Sequence, residues 1–299
     1  MKKTAPFIIL IAGVFWGMIG IFVKRLTAMG FGPMEIVTIR AVTTVVLVFI
    51  FLLIYDRSLL KIRLKHVWCF IGTGIVSIVF FNFCYFSAIN MTSLSVAAIL
   101  LYTAPVFVML MSAFLFREKI TAVKLVALVA TFAGCVLVTG IVGVGESIST
   151  AGIIVGLGAG IGYALYSIFS RYALMRGYHP FTIAFYTFLF AIIGTLPLID
   201  YKVLATAVTS GIPTIGFCFL FGICSAVIPY IIYTIGLKEL DNGKAAVIAS
   251  IEPVTATVLS VVVYKEQLTV LQIIGIVLVL AAIAICSFEP KTKEKPKGN

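Results

Sequence analysis

Two stretches of sequence share one pattern: residues 97–118 read AAILLYTAPVFVMLMSAFLFRE, and residues 245–266 read AAVIASIEPVTATVLSVVVYKE. They align without gaps at a separation of 148 residues, which pairs Pro105 with Pro253 and the closing glutamate of one stretch with that of the other. Apolar composition alone gives no reason for proline and glutamate to recur at one offset. The pattern therefore indicates an internal repeat, with one copy in each half of the chain.

The composition is that of a membrane protein. Of 299 residues, 62% are hydrophobic and 11% charged, and the mean hydropathy is +1.20. A soluble domain has about 45–50% apolar and about 25% charged residues, so lipid must cover part of this apolar surface. Charged residues cluster between apolar runs of about 20 residues, the length with which a helix crosses a bilayer. These runs predict an all-α membrane protein with ten transmembrane helices. The predicted helices are 6–23, 34–54, 67–88, 94–116, 122–142, 151–170, 180–199, 212–235, 244–263 and 268–288.

Basic residues divide unevenly between the alternate loops of this arrangement. One side carries 17 lysines and arginines and the other carries 4, while Arg40 lies within a predicted helix. Because positive loops stay in the cytoplasm, the sequence predicts a multi-pass protein of the cytoplasmic membrane with both termini cytoplasmic. The net charge of +11 is thereby assigned to topology and anionic headgroups, not to nucleic acid.

The repeat units are predicted as residues 1–143 and 150–288, followed by a basic disordered tail at 289–299. Each unit holds five predicted helices. Because five is an odd number, the second unit must enter the membrane from the opposite side. Inverted repeats of this kind are the architecture of secondary transporters, which bind solute near the midplane between the repeats.

The repeated pattern also resembles a known family. Residues 97–121 and 245–269 both begin with alanine, carry Pro-Val in the middle, and end with a basic-acidic pair that is followed, three residues after the glutamate, by threonine. Together with Trp16 and the segment 33–40, this pattern resembles the EamA family of the drug/metabolite transporter superfamily over nearly the whole chain. The resemblance implies a central cavity lined mainly by helices 1, 3, 4, 6, 8 and 9. It also implies export of metabolites or amino acids as the commonest role.

Glu252 is the clearest candidate for a substrate-binding residue, because an ionisable group inside the membrane is costly and belongs in a protein-lined cavity. It stands just before Pro253, whereas its repeat mate is Ala104. A proline frees a backbone carbonyl, and a carboxylate beside an open carbonyl can bind an amine, a cation or a proton. The alternative is a neutral, structural Glu252 that is hydrogen-bonded to a neighbouring helix.

Arg40 is the other charged residue inside a predicted helix. It lies about 9 Å below the membrane surface at ~1.5 Å per residue, so its side chain can snorkel outward, and this is the favoured interpretation. The alternative is an Arg40 that faces the cavity, where it binds a substrate carboxylate or pairs with Glu252.

Other side chains at midplane depth suit a cavity for an amphipathic solute, although packing explains each of them as well. These candidates are Trp16, Asn82, Tyr85, Tyr102, Tyr163 and Tyr233. Gating or structural roles are assigned to the two aligned prolines and to Glu118 and Glu266. The two glutamates are predicted to form ion pairs with the preceding residues, Arg117 and Lys265.

Several classes of site are not predicted. The six cysteines lie in apolar segments without metal-ligand spacing, so neither a disulfide framework nor a metal site or cofactor is expected. The glycine-rich segment 156–162 lies in a predicted membrane helix and indicates close helix packing instead of nucleotide binding. One central acid without a central histidine or aspartate argues against an enzyme.

The preferred function is a secondary transporter that exports a small metabolite, such as an amino acid, by alternating access. Protons are a candidate coupling ion. The alternatives are a multidrug or amine exporter, a channel, and a membrane protein without transport activity.

Overall fold

Helices account for most of the residues that the structure describes, and no strand occurs among them. The structure is a computed structural model that describes residues 4–140, 149–209 and 211–288, without the side chains of 206–208. Ten long helices, named α1 to α10 in chain order, form the bundle within these ranges. They are Ala5–Ala28, Pro33–Tyr55, Leu64–Met91, Leu94–Phe116, Ala122–Val138, Thr150–Met175, Pro180–Leu198, Ile212–Leu237, Asn242–Tyr264 and Val270–Phe288. A short helix, Tyr201–Thr209, lies between α7 and α8.

Within the described ranges, nine of these helices have the length and apolar composition to cross a membrane. The remaining helix, α5, is apolar but has 17 residues, and it packs against α10. Each predicted helix corresponds to an observed one with bounds that differ by a few residues. The predicted end of α5 at residue 142, the end of the first repeat at 143 and the basic tail at 289–299 lie outside the described residues.

The two aligned prolines interrupt α4 and α9 at matching places. Regular α-helix stops at Tyr102 in α4 and at Ser250 in α9, three residues before each proline. A proline has no N–H and clashes with the carbonyl four residues earlier, so each helix must bend there. The two helices also end alike, because Arg117 and Lys265 adopt left-handed conformations with φ of 56° and 59°. These shared irregularities show that the repeat extends to the backbone.

The packing of the helices repeats in the same way. Helix α1 packs against α8 and α9, and its repeat mate α6 packs against α3 and α4. Helices α2, α4 and α5 each pack against their own mates, α7, α9 and α10. Helices α3 and α8 each contain a π-helical segment, Gly72–Val79 and Ile223–Val227. The central elements of the bundle are therefore α1 and α6, each wedged between helices of the other half.

Small residues allow this close packing. A Cβ atom placed on Gly17 of α1 would lie 2.5 Å from the Thr255 Cβ and 2.6 Å from the Glu252 carbonyl oxygen of α9. In α6, a Cβ on Gly160 would lie 2.6 Å from the Thr103 Oγ1 of α4. The glycines thus bring the α1 and α6 backbones against the interrupted middles of α9 and α4.

Candidate functional site

Glu252 lies where α9 resumes after its interruption, in the first turn of Ile251–Tyr264. The Tyr163 hydroxyl of α6 donates a hydrogen bond of 3.0 Å to the Glu252 Oε2 atom. A charged acceptor strengthens such a bond, which fixes the orientation of the carboxyl group. The glutamate that breaks the symmetry of the repeat therefore has a defined polar partner inside the bundle.

A small cavity of about 30 Å³ adjoins this pair. A buried water needs about 10–15 Å³ on the same measure, so the cavity has room for water but not for an amino acid. Its walls come from α4 of the first half and from α6, α8 and α9 of the second. The lining residues are Leu101, Tyr102, Ala104, Pro105, Val108, Tyr163, Ser167, Tyr233, Ala246, Ala249, Ser250 and Glu252.

An aromatic cluster continues from the cavity toward α1. The Trp16 ring centroid lies 5.2 Å from that of Tyr233, 5.3 Å from Tyr230 and 6.2 Å from Tyr163. A 2.8 Å hydrogen bond joins the Tyr233 hydroxyl to the Ser167 Oγ, which fixes that ring. These rings supply the aromatic faces and hydroxyl groups that a cavity for an amphipathic or cationic solute uses.

Arg40 is buried in α2, with 6% of its surface exposed, and makes no ion pair with any described residue. The favoured interpretation of an outward-snorkelling Arg40 is therefore wrong, because neighbouring helices cover the side chain. Its Nε and Nη2 atoms have no hydrogen-bond partner within the described ranges, and neither has the Trp16 Nε1 atom. Buried donors without partners are costly, so they are candidates for binding a ligand.

The structure separates the other predicted site residues into two groups. Tyr102, Tyr163 and Tyr233 line the cavity with Glu252 and Pro105. Asn82 and Tyr85 are not among its lining residues. The Asn82 Nδ2 atom donates to the Ile78 carbonyl of its own helix at 2.7 Å, beside the π-helical segment of α3. Tyr85 packs on Phe81, whose ring contacts Tyr163 edge to face. Pro253 is buried next to Glu252.

Seven lining residues were not predicted as site residues from the sequence: Leu101, Ala104, Val108, Ser167, Ala246, Ala249 and Ser250. Ser167 follows Tyr163 by four residues, so the helical period places both on one face of α6 and would have identified it. Ser250 matches Tyr102 in the repeat alignment. Ala246 carries no chemical signal, because a small apolar residue is common throughout this chain.

Within the described ranges, no group of three or more His, Cys, Asp or Glu side chains could hold a metal ion. The six cysteines are free thiols; five are buried and Cys224 is half-buried.

Comparison with known proteins identifies the family to which this bundle belongs. The profile of the EamA-like transporter family matches residues 3–140 and 150–288. The chain belongs to this family. The resemblance seen in the repeated pattern is confirmed, and the protein is a multi-pass membrane transporter, not an enzyme.

Relatives of this EamA-like transporter occur in bacteria and archaea. An uncharacterized transporter of Archaeoglobus fulgidus is 30% identical over 201 residues, which are 67% of this chain and 70% of the relative. The uncharacterized transporter YxxF of Bacillus subtilis is 26% identical over 291 residues, covering 95% of this chain and 89% of its own. A protein of known crystal structure, 21% identical, shares the fold with a TM-score of 0.79 over 95% of this chain and 96% of its own.

One end of the EamA-like transporter carries a polar cluster that joins its two halves, which we call the Glu118 cluster: Glu118, Lys124, Arg171 and Asp241. Glu118 accepts hydrogen bonds from the N–H groups of Asn242, at 3.0 Å, and of Gly243, at 3.4 Å. The Arg171 guanidinium lies 4.0 Å from the Glu118 carboxylate, and Lys124 pairs with Asp241 at 2.9 Å. Burial raises the pKa of Glu118, with Asp241 adding to the effect and the N–H donors and Arg171 opposing it.

The predicted ion pairs at these helix ends are not formed within the described ranges. Glu118 faces Arg171 and the N-terminus of α9, not Arg117, because the left-handed Arg117 ends α4 and turns the chain toward α9. Its repeat mate Glu266 is exposed. The two ends of the transporter thus differ, with the Glu118 cluster formed at one end and its counterpart absent from the described contacts of the other.

Proposed function

We propose that this chain is a secondary transporter that exports small metabolites, in particular amino acids or related compounds, by alternating access. The observation that carries the proposal is the hydrogen-bonded pair of Glu252 and Tyr163 beside a cavity between the two halves. A carboxyl group inside a membrane bundle is costly, so by default it marks a site for a solute or an ion.

We place this site between two inverted repeats of five transmembrane helices each. Helix α1 packs against α8 and α9 of the second half, and α6 packs against α3 and α4 of the first half. This reciprocal packing supports a two-fold relation between the halves. Helix α5 would be the tenth span. Its 17 residues extend about 26 Å at ~1.5 Å per residue, close to the roughly 30 Å of a bilayer core. With five spans per half, the two copies have opposite orientations in the membrane.

Alternating access is supported by the size of the cavity and by the difference between the two ends. A cavity of about 30 Å³ cannot admit a metabolite, so binding requires α4 and α9 to move apart. Their interrupted middles are where such helices can bend. The Glu118 cluster would hold one end closed, and Glu266 would take the equivalent role at the other end when the transporter opens inward.

Two charged groups support a solute with both an anionic and a cationic group: Glu252 lines the cavity, and Arg40, which does not line it, lies within electrostatic range of Glu252 and Tyr230. Arg40 offers buried N–H donors without partners, and a carboxylate of the solute would satisfy them. Glu252 would bind an ammonium group, or a proton when no amine is present. An amino acid supplies both groups in one small molecule.

A second candidate, a multidrug or amine exporter, rests on the aromatic cluster. The rings of Trp16, Tyr230 and Tyr233 lie close together, and organic cations bind to the faces of such rings. In that case Glu252 would neutralise the cation and Arg40 would have no direct role with the solute.

The orientation follows from charge. The end that carries the Glu118 cluster would face the cytoplasm, because 17 basic residues lie on that side and 4 on the other. Both termini would then be cytoplasmic, in the cell membrane, and export would proceed from the end closed by the Glu118 cluster. The net positive charge would meet the bilayer and not nucleic acid.

The test is counterflow in proteoliposomes loaded with individual amino acids or organic amines, with and without a pH gradient. We expect amino acids to exchange, and we expect Glu252→Gln to slow this exchange by about tenfold or more, since charged hydrogen bonds contribute about 1.5–3 kcal/mol. We expect Arg40→Gln to slow the exchange of amino acids but not that of amines. Exchange no faster than in empty liposomes would refute transport of these classes. Unchanged exchange in both variants would refute the site.

A further inference from the structure

A second, larger pocket opens between the α2–α3 and α6–α7 loops, at the same end as the Glu118 cluster. Its volume is about 390 Å³, within the range of pockets that bind small molecules. The lining residues are Ser58, Leu59, Lys61, Ile62, Arg63, His66, Arg176, Gly177, Tyr178, His179 and Thr182. We call it the loop pocket.

The lining of the loop pocket is basic, with no acidic residue among those named. Lys61, Arg63 and Arg176 form no ion pair with any described residue. The nearby acid is Asp56, an exposed residue whose carboxylate accepts the Ser58 N–H at 2.8 Å. Positive loops are expected at the cytoplasmic end, but that rule does not explain cations gathered around a concavity without ion-pair partners among the described residues. The Glu118 cluster, at the same end, pairs its cations with carboxylates.

The repeat provides an internal comparison. At an offset of 147 residues, Thr182 of the loop pocket matches Glu35, which lies at the opposite end of the bundle. The Thr182 hydroxyl donates to the Leu59 carbonyl of the α2–α3 loop at 2.8 Å. The Glu35 carboxylate accepts from the N–H of Asp200, in the equivalent α7–α8 connection, at 2.6 Å. The matching connection at the opposite end therefore binds an acid, whereas the loop pocket carries cations without ion pairs among the described residues, so the fold does not require the basic lining.

Hydrogen bonds and ring contacts hold the Arg63 backbone, His66 and the Arg176 guanidinium in place. The Tyr178 hydroxyl accepts from the backbone N–H of Arg63 at 3.0 Å and lies 2.9 Å from the His66 Nδ1 atom. The Arg176 guanidinium lies over the Trp68 ring, 4.9 Å from its centroid, and donates to the Tyr172 carbonyl at 2.8 Å. A guanidinium has five N–H donors, so others remain for a ligand.

Exposed apolar side chains border the loop pocket. Leu64, between Arg63 and Lys65, is 89% exposed, and Met175, before Arg176, is 66% exposed. Trp68 and Tyr172 beside them are the aromatic residue types found at the headgroup level of membranes. The pocket thus lies where the phosphate of a lipid headgroup and a soluble phosphate can both reach it.

We propose that the loop pocket binds a phosphate group, carried by an anionic lipid headgroup or by a soluble phosphate compound. Lys61, Arg63 and Arg176 are its main ligands. Basic pockets between helices at the cytoplasmic end are a known way for membrane proteins to bind headgroup phosphates. The site is separate from the Glu252 cavity, and it does not depend on the proposed transport activity.

The test measures binding of a fluorescent short-chain phosphatidylglycerol to the purified full-length protein in neutral detergent. The pocket variant is Lys61→Gln with Arg63→Gln. The matched control is Lys119→Gln with Lys202→Gln, which removes two exposed cations elsewhere. Each cation is expected to contribute about fivefold to the affinity, so the pocket variant should bind roughly 25-fold more weakly. The control should bind like the wild type. A further variant, Arg176→Lys, keeps the charge but loses the planar donor set, and we expect intermediate binding.

Competition distinguishes the two sources. Displacement of the probe by glycerol 1-phosphate would support the phosphate site and assign it to soluble compounds. Resistance to glycerol 1-phosphate together with the loss of binding in the pocket variant would support the site and assign it to lipid. Equal affinity for phosphatidylcholine, or equal binding by the pocket and control variants when all melt at the wild-type temperature, would overturn the proposal.

Discussion

Among single residues, Glu252 is central to the proposed transport mechanism. Its carboxylate accepts a hydrogen bond from Tyr163 at 3.0 Å, inside the helix bundle. The sequence predicts both residues, because a membrane-embedded acid and midplane tyrosines are visible in a hydropathy pattern. The surroundings of Arg40 are not visible in that way. Depth along a helix is the same whether a side chain faces lipid or other helices, so the snorkelling prediction failed.

Tyr163→Phe removes the hydroxyl that orients Glu252. A hydrogen bond to a charged group contributes about 1.5–3 kcal/mol, so we expect transport to slow by about tenfold or more in proteoliposomes. Tyr186→Phe is the matched control, because it also loses a hydroxyl hydrogen bond, of 2.6 Å to the Leu60 carbonyl, but lies away from the cavity. If both variants transported equally well, the Tyr163 hydroxyl would have no part in the mechanism.

At the scale of helices, close packing between α1 and α9 positions the site. Gly17 of α1 lies against Thr255 and the Glu252 carbonyl, so the backbone that carries the acid is in direct contact with α1. The close packing at the glycines and the interruptions at the prolines can be predicted from the sequence, because both depend on local residues. It does not predict the π-helical segments of α3 and α8, since these depend on which helices pack around them. It also places Asn82 at cavity depth, whereas that side chain bonds to the Ile78 carbonyl of its own helix.

Alanine substitutions at two glycines of α1 distinguish the effect of close packing on stability from the effect of helix propensity. Gly17→Ala puts a methyl group 2.5 Å from the Thr255 Cβ, so we expect it to lower the free energy of unfolding by about 1–3 kcal/mol. Gly20→Ala, three residues later, meets no atom within 4 Å and should be neutral or stabilising by up to about 1 kcal/mol. The melting temperatures of both variants in detergent test this. Equal melting temperatures would mean that α1 and α9 are not packed as described.

Across the complete bundle, we propose that the two halves are inverted copies around Glu252. Two inverted halves can exchange conformations, so one site can open to either side of the membrane in turn. The sequence predicts the repeat from one proline and one glutamate at a fixed offset. It does not predict the unequal ends, where the Glu118 cluster is formed and Glu266 is exposed, because the two copies have almost the same motif there.

The inversion depends on α5, the shortest of the ten long helices within the described ranges. If α5 crosses the membrane, the second half enters from the opposite side. If it does not, both halves have the same orientation. The most direct measurement is side-specific labelling of single cysteines on either side of α5, in intact cells and in inverted vesicles. The variants are Lys119→Cys and Thr150→Cys, each in a chain whose six native cysteines are replaced.

We predict that a membrane-impermeant thiol reagent labels Lys119→Cys from the cytoplasmic side only and Thr150→Cys from the outer side only. Labelling of both positions from the same side would contradict the inverted repeat, and with it the account of a single site that opens to each side in turn.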